Sequence, residues 1–475
     1  MQTGLKAFAL LPIKQPLSFL YCLIATIFIW LTFYPGVFSA DSMFFISESS
    51  LKWLSDWHSL LIVFALNFLP RVEQNISVVI FVQIFLGLFG IRQFGIALAR
   101  LFGAQEKSLD MIALGLLILL SSPLTPLSIY LATLWTDTWL FISFAWTFAL
   151  LIEIYQESRS RSFSEIGLKL IFVMIFITVT LLVRSNTPIL YPALVVCLQL
   201  ILRRIPFDYF YKTLLSILPV AIYVLFIFFQ YRVFEVKPGH PERAIYALDL
   251  ASMIVLDPSI CRDLSLQGCD LVIGVYTSDF VVGHGAIDFT FNQGRPPYVP
   301  YYNLLYYPDL TDEFFDAVRD HPLLFVMVKV LNYFDYISPN ASRYFYQNSN
   351  FPAPNGFVYL HPFSQLTNRW FSLTNTILRN PVFRCFSFVH AVWLIINLIS
   401  LAICARLARR DDRARFIGFI LLVPASYYAS YLIAFTSSEF RFMYPSMLIV
   451  QVITLTFLSS QGAKWLARRK AVWNH

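Results

Sequence analysis

Charge is scarce in this chain. Asp, Glu, Lys and Arg together make up 13% of its 475 residues, about half the share of an ordinary globular protein. So few charges cannot coat a water-soluble surface of this size. Acids are scarcer than bases, 28 against 35, which leaves a net charge of +7. The excess does not make a nucleic-acid-binding face, because the basic residues sit in short clusters between apolar runs, the pattern of the positive-inside rule. Cysteine is sparse as well, with 6 residues. Cys22, Cys197, Cys385 and Cys404 lie in apolar runs and read as inert. The chain has no P-loop, no Rossmann glycine pattern, no HExxH and no CxxC, which excludes the common nucleotide and zinc signatures. His240, His284, His321 and His361 are dispersed, without zinc-ligand spacing. No internal repeat or low-complexity tract is present.

What the chain has in abundance is apolar surface: 58% hydrophobic and 17% aromatic residues, with a mean hydropathy of +0.65. A membrane span needs about 20 apolar residues. Runs near 17–34, 75–92, 109–122, 138–155, 168–183, 187–202, 213–231, 385–404, 416–435 and 442–460 predict an all-α polytopic membrane protein of about ten spans. The apolar stretch 59–69 is half a span long and reads as an interfacial or re-entrant helix. With ten spans, the clusters at Lys6 and Lys14, Arg92 to Lys107, Arg159 and Arg161, Arg203 and Arg204, Arg406 to Arg415, and Lys464 to Lys470 all fall on one side. That side is expected to be the cytoplasm, with both termini there. The basic start and apolar run of residues 1–40 read as an uncleaved first helix rather than a signal peptide.

Three parts follow: an N-terminal membrane module (1–232, about seven spans, first outer loop 35–74), a polar segment (233–383) and a C-terminal membrane module (384–475, about three spans). The middle segment holds 14 acids against 9 bases and is expected outside, as a domain of mixed structure between spans 7 and 8. Helices are expected at 42–52 and 242–255, with a pair over 311–336 broken before Pro322. Cys261 and Cys269, eight apart, suit a disulfide in an oxidising compartment. Asn340-Ala-Ser342 fits a glycosylation sequon.

Polar residues at the outer ends of spans are the candidate functional groups. The first outer loop carries Asp41, Asp56 and His58. The second carries Asp137 between Trp135 and Trp139, the third Arg184 and Asn186, the last Glu439, Arg441 and Tyr444. Bland readings exist for each. Asp41, Asp56 and Asp137 could be helix caps, Arg184 a snorkelling side chain, and Glu439–Arg441 a self-neutralising pair. As a set they combine carboxylates suited to general-base work with guanidiniums suited to phosphate.

The order Pro35-Gly36, Asp41-Ser42, Trp57-His58, Leu134-Trp135-Thr136-Asp137 and Arg184-Ser185-Asn186 resembles the GT-C superfamily of membrane glycosyltransferases, in a bacterial multi-pass branch. Weaker matches are His321-Pro322 and the turn from Arg441 to Pro445. The resemblance implies a GT-C-like fold and inverting transfer of sugar from a polyprenyl-phosphate carrier to a glycan or lipid acceptor at the outer face of a bacterial inner membrane. It makes Asp41 the general base. It assigns phosphate to Arg184 and Arg441, and sugar or acceptor to Asp56, His58 and Asp137, with Asn186, Glu439 and Tyr444 also binding substrate. It names membrane lipids as partners and no nucleic acid. Many relatives carry a second acid where this chain has Ser42. That weakens a metal site, so no cofactor is assigned, while a divalent ion is left open. Competing expectations are an O-antigen polymerase or ligase, a lipid or glycan transporter, and a non-catalytic membrane subunit.

Overall fold

The computed structural model describes residues 15–51, 54–56, 59–158, 163–205, 208–262, 264–275, 304–338, 361–434 and 440–473. His58, Glu439 and the sequon at Asn340 lie outside these residues. Within them the fold is helical and contains no strand. The described parts of the middle segment, expected to be mixed, form helices joined by turns and coil, with no strand.

The N-terminal part comprises α1 (Pro16–Thr32), α2 (Ala40–Leu51), α3 (Leu60–Asn67), α4 (Val72–Leu101), α5 (Glu106–Ser121), α6 (Leu127–Leu131), α7 (Thr136–Glu157), α8 (Phe163–Val183), α9 (Tyr191–Leu202) and α10 (Tyr209–Arg232). The middle segment holds α11 (Glu242–Leu256), α12 (Leu266–Val275), α13 (Leu310–Asp320), α14 (Pro322–Ile337) and α15 (Ser364–Leu378). The C-terminal part contains α16 (Pro381–Phe388), α17 (His390–Leu407), α18 (Asp412–Ser430) and α19 (Tyr444–Trp473).

Six helical stretches are long and apolar enough to cross a membrane: Val72–Leu101, Thr136–Glu157, Ile166–Val183, Tyr209–Arg232, His390–Leu407 and Arg441–Trp465. This is the pattern of an integral membrane protein. The other four expected spans fall short of that standard for physical reasons. α1 has 17 residues, and α5 has 16 and gives way to Ser121-Ser122-Pro123. α9 has 12 residues after a 3₁₀ turn at Thr187–Leu190, and α18 carries Asp412, Arg413 and Arg415 in its first turn. α3, with 8 residues, is about 12 Å long and cannot cross, as its half-span length implied.

α7 is the axis of the bundle, with 94% of its span window buried, against 17% for α10 and for α17. A helix apolar on every face suits that central position. It packs against α4, α8 and α19. Glycine permits the α4 contacts. A Cβ at Gly90 would stand 3.1 Å from the Trp146 indole nitrogen, and one at Gly87 would overlap the buried Leu131 side chain.

In the C-terminal half of α4, buried Arg92 donates from Nε to Ser18 Oγ (3.0 Å) and from Nη2 to the Gln15 carbonyl (2.9 Å). Asp110 accepts from the amides of Leu17 and Ser18 at 3.0 and 2.9 Å. Together they fix where α1 begins. Arg92, counted from the sequence as a loop-end charge, is a packing residue here.

In the middle segment α11 follows the expected helix closely, and α13 and α14 divide at Pro322 as anticipated. Cys261 and Cys269 form a disulfide, with Cα atoms 5.4 Å apart. Asp249 on α11 is fully buried and ion-paired with Lys329 on α14. Burial pushes its carboxyl up to about 6 even with the Lys329 ammonium opposing the shift. Lys329 also donates to the Ile433 carbonyl beyond α18 at 2.8 Å. That bond ties the middle segment to the C-terminal helices.

Candidate functional site

Two loops form the floor of the site, and hydrogen bonds stitch them together. After α1 the chain turns at Pro35-Gly36. Val37 then donates to the Ala132 carbonyl at 2.9 Å and pairs in parallel with Thr133. Gln83 of α4 holds the second loop from beneath, donating to the carbonyls of Leu131 and Thr133 at 2.8 Å each. Thr138 donates to the Tyr130 carbonyl at 2.9 Å. The start of α2 and the start of α7 are therefore fixed side by side, and each carries an aspartate in its first turn.

Ser39 and Ser42 cap α2 reciprocally. The Ser42 amide donates to Ser39 Oγ at 3.3 Å, and the Ser39 amide to Ser42 Oγ at 3.2 Å. Trp135 Nε1 donates to Ser39 Oγ at 2.7 Å, and Ser42 Oγ donates to the Leu134 carbonyl at 3.1 Å. Ser42 is fully buried. A carboxylate there would set two acceptors face to face with no proton between them. The hydroxyl of Ser42 thus suits this buried position.

Four charged side chains converge above this floor. Asp41 Oδ2 lies 2.6 Å from Arg441 Nη1, and Asp137 Oδ1 accepts from Arg184 Nη1. Both guanidiniums lie over the Phe442 ring, with Arg184 Cζ 4.6 Å and Arg441 Cζ 4.8 Å from its centroid. Arg441 also faces Trp135 at 4.9 Å. These are cation–π distances. Among the described residues the cluster brings together two acids and two bases beside aromatic rings.

The two aspartates differ in access. The Asp41 side chain is 36% exposed and that of Asp137 is 1% exposed. Asp137 is enclosed and held by Arg184, whereas Asp41 is open on one side. Asp56 is engaged elsewhere. It accepts from Tyr231 Oη at 2.7 Å and from the Gly239 amide. These bonds fasten the exit of α10. Tyr444 is buried, with its ring 4.2 Å from that of Tyr130. Asn186 Nδ2 donates to Ser430 Oγ at 3.2 Å, which joins the loop after α8 to the end of α18.

Reading the sequence alone missed a layer behind the arginines. Tyr427 and Tyr431 bond hydroxyl to hydroxyl at 2.9 Å, and Tyr431 Oη donates to the Phe442 carbonyl at 3.2 Å. Tyr336 of α14 packs on Tyr431 at 5.5 Å between centroids. The signal was present: tyrosines four apart share one face of a helix, here in an otherwise apolar run. Among the described residues no group of three or more His, Cys, Asp or Glu is arranged to hold a metal. No family model matches the chain, and comparisons with curated proteins and with solved structures return no match.

Proposed function

We propose that this protein is an integral membrane glycosyltransferase. It moves a sugar from a polyprenyl-phosphate carrier to a cell-envelope acceptor by inverting transfer at the outer face of a bacterial inner membrane. On this reading ten helices span the bilayer in a GT-C-like arrangement, both termini are cytoplasmic, and 233–383 lies outside. The observation that carries the proposal is the convergence of Asp41, Arg441, Asp137 and Arg184, which come from four separate stretches of chain, onto one aromatic-walled patch.

The chemistry divides by exposure. Asp41, the accessible carboxylate, takes the proton of an acceptor hydroxyl. The hydroxyl oxygen attacks the anomeric carbon, and the bond to the carrier phosphate breaks. Arg441 and Arg184 receive the charge that grows on the leaving phosphate. A guanidinium has five N–H donors, so Arg184 can hold Asp137 with one and offer others to phosphate. Asp137 orients Arg184. The rings of Trp135 and Phe442 offer flat apolar faces to a sugar.

Purified protein in lipid, offered a panel of radiolabelled polyprenyl-phosphate sugars with a crude envelope acceptor, should transfer label from at least one donor. Absence of transfer from every donor by well-folded protein would overturn the proposal and favour the ligase, transporter or non-catalytic readings.

A further inference from the structure

The pair α15–α16 is chemically unlike the rest of the chain. No acid occurs between Asp335 and Asp411, and this pair carries Arg369, Arg379 and Arg384 immediately before the apolar helix α17. Basic residues flanking a span are depleted on the outer side of membrane proteins. On the membrane reading proposed above, on which this inference rests, three arginines at this place need a reason.

The packing gives the helices three faces. Thr367, Phe371 and Thr374 are buried. Phe371 and Trp370 each pack on Phe33, and Trp370 on Phe28, with centroids about 6 Å apart, while Thr367 donates to the Thr32 carbonyl at the end of α1. Leu366, Trp370, Leu373 and Ile377 form a second stripe at helical spacing that is at most partly covered, Leu373 being 50% exposed. Gln365, Asn368, Ser372 and Asn375 make a third, polar face, exposed throughout.

Asn380 then caps α16, accepting from the Val382 amide at 3.0 Å. α16 presents Val382, 73% exposed, beside Phe383. The Phe386 carbonyl accepts from Gln451 Nε2 at 2.9 Å. Gln451 is seven residues into α19, about 10 Å along the helix from Tyr444. The end of α16 is therefore level with the first two turns of α19, on the side away from Arg441. Arg369 and Arg379 are exposed and form no ion pair among the described residues. A helix pair that is apolar toward lipid, polar on the other flank and basic without any acid fits the plane of a membrane interface.

We propose that α15 and α16 lie in the bilayer interface and bind the phosphate headgroups of anionic phospholipids through Arg369 and Arg379. Such contacts hold α15, and the end of α1 on which it packs, against the lipid surface. They make the position of that end depend on headgroup charge and salt.

The test uses the full chain in nanodiscs. Exposed Cys385 of α16 carries a nitroxide in a Cys404→Ser background, the remaining thiols being buried or disulfide-bonded. The label should be reached by oxygen and shielded from a water-soluble nickel chelate. Spin-labelled phosphatidylglycerol should be retained over phosphatidylcholine, and Arg369→Gln with Arg379→Gln should lower that preference about fivefold per arginine. The matching Arg→Lys pair should keep most of it, which separates lost charge from lost fold. A nickel-accessible label would place α16 in water and overturn the inference. So would a lipid preference unchanged by the Gln pair, or selective retention of polyprenyl phosphate alone. None of these readouts uses sugar transfer, so the inference can fail while the transferase reading stands, and the reverse.

Discussion

Asp41 and Ser42 are neighbours in sequence and serve different ends. Asp41 faces Arg441 from a partly open position, while Ser42 is buried and donates to the Leu134 carbonyl. Ser42→Asp is therefore expected to lower thermal stability, because it removes the donor and buries a charge against a carbonyl oxygen. A melting curve in detergent reads this, and an unchanged midpoint would show that Ser42 does not hold the two loops. The Asp137–Arg184 pair makes a stronger expectation. Removing one member of a buried pair leaves the other charge uncompensated, at a cost of about 3–5 kcal/mol. Asp137→Asn and Arg184→Gln should each destabilise on that scale, and the double variant less than the sum of the two. Additive losses in denaturation would break the claim that they act as a unit.

The elements show how much of this was legible in the sequence. α11, α13 and α14 were readable from apolar spacing and from Pro322, because local chemistry decides them. The partners of Asp56 and Asp137 were not. Asp56 lies in a loop and Asp137 in the first turn of α7, but each is held by a residue distant in sequence, Gly239 for one and Arg184 for the other, and no local pattern encodes such a partner. The buried Asp249–Lys329 pair was hidden for the same reason, since 80 residues separate its members.

That pair gives the packing of α11 on α14 a pH dependence. The Asp249 carboxyl is raised to about 6, so the fold favours its neutral form. Its contribution to stability is complete below the ordinary carboxylate range, near pH 4, and is lost as pH rises through about 6. On the order of 3 kcal/mol is at stake over that window. Hydrogen exchange of α11 and α14 should quicken from pH 4 to 6 beyond the intrinsic rate and then level off, and Asp249→Asn should remove the step. At the close approach of α4 and α6, Gly87→Ala should lower the melting temperature, since the buried Leu131 must move to admit a methyl group, an overpacking cost of about 1–3 kcal/mol.

At the scale of the whole molecule, composition was the clearest guide. The shortage of charge demanded a membrane setting, and six helices meet the length and hydropathy of spans. The remaining proposed spans are shorter or charged at one end. Their number depends on where a bilayer would cut the bundle, which apolar runs alone do not say. A fluorescent-protein fusion at the C-terminus should fluoresce in the cytoplasm, and an alkaline phosphatase fusion after residue 262 should be active outside. The opposite pair of results would invert the topology and place the charged cluster on the cytoplasmic face.

The central claim is that the cluster around Asp41 performs transfer, and exchanging one carboxylate against another tests it most directly. Asp41→Asn and Asp56→Asn would be compared with the parent protein in the radiolabelled transfer assay, each shown to be folded by its melting curve. Loss of transfer by at least about a hundredfold in Asp41→Asn, with Asp56→Asn close to the parent protein, is the expected result. Full transfer by a folded Asp41→Asn protein would contradict the account and remove the base from the cluster.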